Sequence, residues 1–125
     1  MPASKNSLVL HGTSTVSSSG AVVVPMITVP VDELWCVHRH SYQLSLALAG
    51  SDPNVRVIIT GHGYNHPIGE TASPTANRLY TDSDPIWLTP GETMCLWLRD
   101  AQANTVVDLF VIGYRVKLAS DLAYS

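Results

Sequence analysis

The stretch from Asp84 to Leu118 constrains the fold more than any other part of the chain. Ile86-Trp87-Leu88 runs into the turn Thr89-Pro90-Gly91-Glu92. A second apolar run, Thr93 to Leu98, follows, and a polar loop then leads into Val106 to Leu118. Apolar runs of this length, separated by Pro-Gly and polar turn chemistry, predict antiparallel strands. Strand side chains alternate between faces. In the last run, Val107, Leu109 and Val111 therefore share one face, with Gly113 continuing the row, and Asp108, Phe110, Ile112 and Tyr114 share the other. The first face suits the interior of a sandwich. The second mixes one acid with large apolar and amphipathic residues, a composition suited to a subunit contact. Phe110, Ile112 and Tyr114, with Trp97, are the candidate interface residues.

The rest of the chain extends this reading. Residues 1–20 are polar and rich in Ser and Thr, and read as an N-terminal arm or weak edge strand before a sandwich domain over 21–125. Ala21 to Pro30 is β-branched, with Pro25 marking an edge or a bend. Leu34 to Leu48 reads as a long strand bent near Ser41, and Val55 to Thr60 as its hairpin partner across the Gly50–Asn54 turn. On this register Leu44, Leu46, Leu48, Val55, Val57, Ile59, Met94, Leu96 and Leu98 point inward together. Gly61 to Ser83 reads as a long irregular loop, with a short strand at Leu79-Tyr80. No stretch keeps a 3.6-residue period over three turns. The expectation is all-β: one antiparallel sandwich of about eight strands, jelly-roll-like.

Composition points to assembly. Charged residues make up 14% of the 125, against roughly 25% in an average globular domain. A small domain has much surface, so a scarcity of charge suggests that part of it is covered by other subunits. A homo-oligomer is expected, with a trimer favoured. The net charge of −3 and the absence of a basic stripe exclude a phosphate-binding nucleic-acid footprint. No apolar run approaches the ~18 residues of a membrane-spanning helix. The first residues lack the apolar segment of a secretory signal, so synthesis in the cytoplasm is expected. Cys36 and Cys95 each sit beside a Trp in an apolar run and read as buried free thiols.

Chemistry-bearing motifs are sparse. On an unbroken strand His38 and His40 share a face, and His62 and His66 flank Gly63-Tyr64-Asn65, so four imidazoles are weak candidates for a metal site. His38-x-His40 followed by Pro90-Gly91-Glu92 superficially resembles the cupin family. Where cupins place a Glu ligand after the His pair, this chain has Leu44 and Ser45. Where the second cupin motif places a His, Thr93 to Leu96 stand instead. No metal or other cofactor is expected. There is no nucleophile elbow, no phosphate loop and no supported carboxylate pair, so no catalytic residue is assigned and the chain reads as a non-enzyme. Tyr64, Tyr80, Trp87 and Trp97 leave a lectin-like, glycan- or receptor-binding module as the alternative.

Ile27 to Val37, Ile86-Trp87-Leu88-Thr89-Pro90-Gly91-Glu92 and Gly113-Tyr114-Arg115-Val116 carry one further likeness. Together they resemble small accessory structural proteins of tailed bacteriophage virions. That resemblance implies a virion component, with a capsid decoration (cement) subunit favoured over a head fibre or a head–tail part. It also implies the major capsid protein, or another virion structural protein, as partner.

Overall fold

The fold is taken from a computed structural model and described for residues 5–118. Nine strands run along the chain: β1 (Lys5–Thr15), β2 (Gly20–Thr28), β3 (Glu33–Leu44), β4 (Asn54–Gly61), β5 (Tyr64–Ala72), β6 (Tyr80–Asp82), β7 (Ile86–Leu88), β8 (Thr93–Ala101) and β9 (Val106–Lys117). Among the described residues there is no helix. Sheet A has the order β1-β9-β3, and the far edge of β3 is shared by β6, against His40–Tyr42, and β7, against Trp35–Val37. Sheet B has the order β2-β8-β4-β5. Every pairing is antiparallel. Each connection crosses between the sheets except β4–β5 and β6–β7. This is the double Greek key of a jelly roll.

The core fills the space between the sheets. Leu8, Trp35, Val37 and Leu109 from sheet A meet Val55, Val57, Leu96 and Leu98 from sheet B. Trp35 satisfies its indole N–H by donating to Glu33 Oε1 at 2.9 Å. In β9 the inward residues Val107, Leu109 and Val111 are all fully buried, as their alternation predicts.

Four sequence expectations are corrected. The polar start is not a free arm, because β1 pairs with β9 from Lys5↔Val116 to Thr15↔Val106 and buries Leu8. β3 and β4 do not form a hairpin, since they lie in different sheets and the segment between them is a crossover. The stretch 61–83 is not one loop. β5 occupies its first part and closes a tight hairpin on β4. His62 and Gly63 form the two-residue turn with φ of 53° and 84°, the doubly left-handed geometry of a type I′ hairpin. Finally, Leu46 is not core: β3 ends at Leu44, the alternation ends with it, and Leu46 is 39% exposed. The other eight residues of the expected inward set are buried.

A β-bulge interrupts β3. Val37 pairs with Gly113 and Arg39 with Ile112, which leaves His38 as the extra residue. Gly113 is required at this point. A Cβ there would lie 2.0 Å from the Cys36 carbonyl oxygen.

Candidate functional site

The outer face of sheet A is built from three adjacent rows of paired residues. In one, His11 of β1 lies opposite Phe110 of β9, and Phe110 opposite Ser41 of β3. In the next, Val9, Ile112 and Arg39 align. In the third, Ser7, Tyr114, Cys36 and Trp87 align across four strands. Val9 is 74% exposed, Trp87 55% and Ile112 41%. A sheet face with this much open aliphatic and aromatic surface is unusual for an isolated domain.

The aromatic groups on this face are ordered by one another. His11 stacks on Phe110 with centroids 4.4 Å apart and planes 8° from parallel, and His11 Nε2 donates to the Asp108 carboxylate at 2.8 Å. Tyr114 receives two edge-to-face contacts, from Trp87 at 5.8 Å and from His38 at 5.4 Å. Its hydrogen bond with Cys36, followed by partial desolvation, holds the Tyr114 phenol above its usual pKa. Rings fixed in this way lose little freedom when a partner covers them.

The expected site residues separate into groups. Phe110, Ile112 and Tyr114 share this face. Trp97 does not: it lies on the outer face of sheet B, between the guanidinium groups of Arg56 at 4.9 Å and Arg99 at 5.6 Å. The four histidines do not converge. The bulge at His38 changes the phase of the strand, so His38 and Arg39 are both exposed outside while His40 points inward, 2% exposed. His62 sits in the β4–β5 turn and His66 on β5. Cys36 and Cys95 are both buried and free, beneath the outer faces of opposite sheets. Sequence reading missed Val9, His11 and Trp87 as members of the sheet A face. Only the strand register brings them beside Phe110, Ile112 and Tyr114.

Burial lowers the His40 pKa, opposed by the charge of Asp82, and His40 Nδ1 has no partner among the described residues. This side chain lines a cavity of about 260 Å³ shared with Gly69, Tyr80 and Asp82.

A larger cleft of about 440 Å³ opens where β5 of sheet B faces β7 of sheet A. Its floor is apolar: Ile59 and Leu88 belong to the core, and Ile68 and Ile86 pack against it. Tyr64 and Trp87 line it from opposite sheets. Glu92 lies at one end, 5% exposed. Its Oε1 accepts from the Thr89 N–H at 2.6 Å and the Thr89 hydroxyl at 2.8 Å, and its Oε2 accepts from the Tyr64 hydroxyl at 2.8 Å. Burial alone would raise the Glu92 pKa, but these donors outweigh it and hold the carboxyl below its usual value of 4.5.

No protein-family model matches the sequence, and no curated protein matches it. Among solved structures, the chain is similar to one from the disulfide-linked pili that form Bacillus endospore appendages. The TM-score is 0.53 and the identity 8%, over 95% of this chain and 93% of that chain. It is also similar to a chain of the acid-stable capsid of Helicobacter pylori bacteriophage KHP30, with TM-score 0.46 and 15% identity over 93% and 94%. A third likeness is to infectious bursal disease virus, Gx strain, with TM-score 0.31 and 10% identity over 98% of this chain and 43% of that chain. The pilus likeness shows a shared fold and nothing further. The two weaker likenesses carry no argument.

Proposed function

We propose that this chain is a non-enzymatic structural subunit of a virion, a capsid decoration protein, that assembles through the outer face of sheet A. The observation that carries the reading is that face: Val9, Ile112 and Trp87 stand exposed beside the ordered rings of Phe110 and Tyr114. The low overall charge agrees with a covered surface. The virion setting comes from the sequence motifs that resemble phage accessory proteins. In that setting the chain is made in the host cytoplasm, forms a homo-oligomer, most simply a trimer, and docks on the major capsid protein. Its action is mechanical. A rigid sandwich ties neighbouring shell subunits together, and repetition over many copies makes modest contacts effective.

Two measurements test this. Sedimentation of the purified chain is expected to show a concentration-dependent oligomer, and the chain is expected to co-purify with virions. A monomer of 13.5 kDa at every concentration, with no binding to capsids, would refute the reading.

A further inference from the structure

The cleft between β5 and β7 adjoins that assembly face and shares only Trp87 with it, and its chemistry is specific enough to name a ligand class. The two side seams of the sandwich differ. At the β1–β2 seam the sheets close tightly, because a Cβ on Gly12 would lie 2.9 Å from the Met26 carbonyl oxygen. At the β5–β7 seam the sheets stand apart around about 440 Å³, within the range of small-ligand pockets.

The lining rules out most ligand classes in turn. No lysine or arginine lines the cleft among the described residues, and Glu92 is held ionised at one end, so phosphates and carboxylates are disfavoured. A purely apolar ligand would cover this carboxylate and the Tyr64 hydroxyl without offering them a hydrogen-bond partner. A ligand with an apolar face and several hydroxyl donors meets every condition. Its face would lie on the isoleucine floor and against the ring of Tyr64, 49% exposed, with Trp87 at the rim. Its hydroxyls would reach the remaining acceptor capacity of Glu92 Oε2 and of the Tyr64 phenol oxygen, with His66 on the same wall. The Tyr64–Glu92 hydrogen bond fixes the ring in place beforehand, which lowers the ordering cost of binding.

We infer that the β5–β7 cleft is a binding site for a neutral saccharide ring, held over the isoleucine floor against Tyr64. The sugar can be free or the terminal unit of a surface glycan, and the chemistry of recognition is the same.

The test uses the full chain. Methyl glycosides of glucose, galactose, mannose and N-acetylglucosamine are titrated by heteronuclear NMR, alongside glucuronic acid and N-acetylneuraminic acid. A glycan array forms the surface-bound arm. Saturable binding of at least one neutral sugar is expected, with shifts at Tyr64, His66 and Ile68, and little binding of the acidic sugars. Tyr64→Ala is expected to weaken it about 10-fold or more, and Val23→Asp, on the outer face of sheet B and away from the cleft, to leave it unchanged. If Tyr64→Ala unfolds the chain, Tyr64→Phe keeps the ring but removes the hydroxyl and its bond to Glu92, and is expected to weaken binding about threefold or more. No neutral sugar binding by about 10 mM in either arm would overturn the inference, as would equal binding of the acidic sugars or shifts confined to other surfaces. None of these results bears on oligomerisation, so the assembly reading stands or falls separately.

Discussion

The outer faces of the two sheets hold similar residues and dispose of them differently. On sheet B, Trp97 is flanked by Arg56 and Arg99, and these pair with Glu70 at 3.6 Å and with Asp52. Thr28 and Thr93 hydrogen-bond across the same face at 2.9 Å. The chain thus covers its own aromatic there with paired charges. On sheet A, the rings of Phe110, Tyr114 and Trp87 order each other, while Val9 and Ile112 remain open. An exposed aromatic is therefore poor evidence for an interface until its neighbours on the sheet are known.

The most severe way to break this contrast is at the bulge that shapes the sheet A face. Gly113→Ala drives a Cβ toward the Cys36 carbonyl, which is backbone and cannot turn aside. A loss of about 3 kcal/mol in chemical denaturation is expected, at the upper end for overpacking. A loss below about 1 kcal/mol would show that the bulge relaxes easily. Next in size is Ile112→Asp, which places a charge on the open face. Assembly is expected to weaken about 30-fold or more, the ~2 kcal/mol of an interface hot spot, with the unfolding midpoint nearly unchanged. Phe110→Ala and Tyr114→Ala should likewise weaken assembly more than folding. The matched change Val23→Asp on sheet B should alter neither property, and if it dissociates the oligomer the two faces have been assigned the wrong way round. Trp97→Ala should then cost about 1–2 kcal/mol of fold stability through lost Arg stacking, with no effect on assembly.

Acidification makes a subtler test. His40 has a lowered folded pKa, so the unfolded chain binds the proton more readily. Its contribution is fully present above the ordinary value of 6.5 and is lost as the pH falls from there through the folded value. Stability below 6.5 should therefore depend on pH more steeply in the natural chain than in His40→Gln. Equal slopes would place His40 in water. The smallest effect is Leu46→Ala, expected to cost under about 1 kcal/mol because the side chain is 39% exposed.

What the sequence disclosed follows the same division. Alternation along a single strand was legible, so both faces of β9 were read correctly down to Phe110, Ile112 and Tyr114. Pairing between strands was not. Leu44 and Val55 looked like hairpin partners because alternation reports which face is buried and says nothing about which sheet the strand joins. β5 was missed, and β1 was left between an arm and a weak edge strand, because each lies at a sheet edge, where one side of the strand has no partner and much of the strand is solvated. His38 and His40 were placed on one face because a bulge leaves no compositional mark. The cleft was invisible for a related reason: its walls come from β5 and β7, which meet only after the chain has crossed between sheets.

That bulge also bears on how this chain tolerates changes of length. β3 contains one residue more than its partner β9 can use. Deleting His38 would leave Val37 and Arg39 adjacent and still facing opposite ways, so the strand would run on in phase. Deleting Arg39 would have the same effect, since His38 and Arg39 both face outward, whereas deleting any residue from His40 to Gln43 would turn a hydrophobic position outward or a polar one inward, unless the bulge migrated to absorb the gap. The strand thus can shorten without scrambling its neighbours at the two-residue bulge, His38-Arg39. The shortened strand would no longer bow toward Gly113, so the glycine there would cease to be obligatory. Residue count in one strand and residue identity in the next are two halves of one constraint.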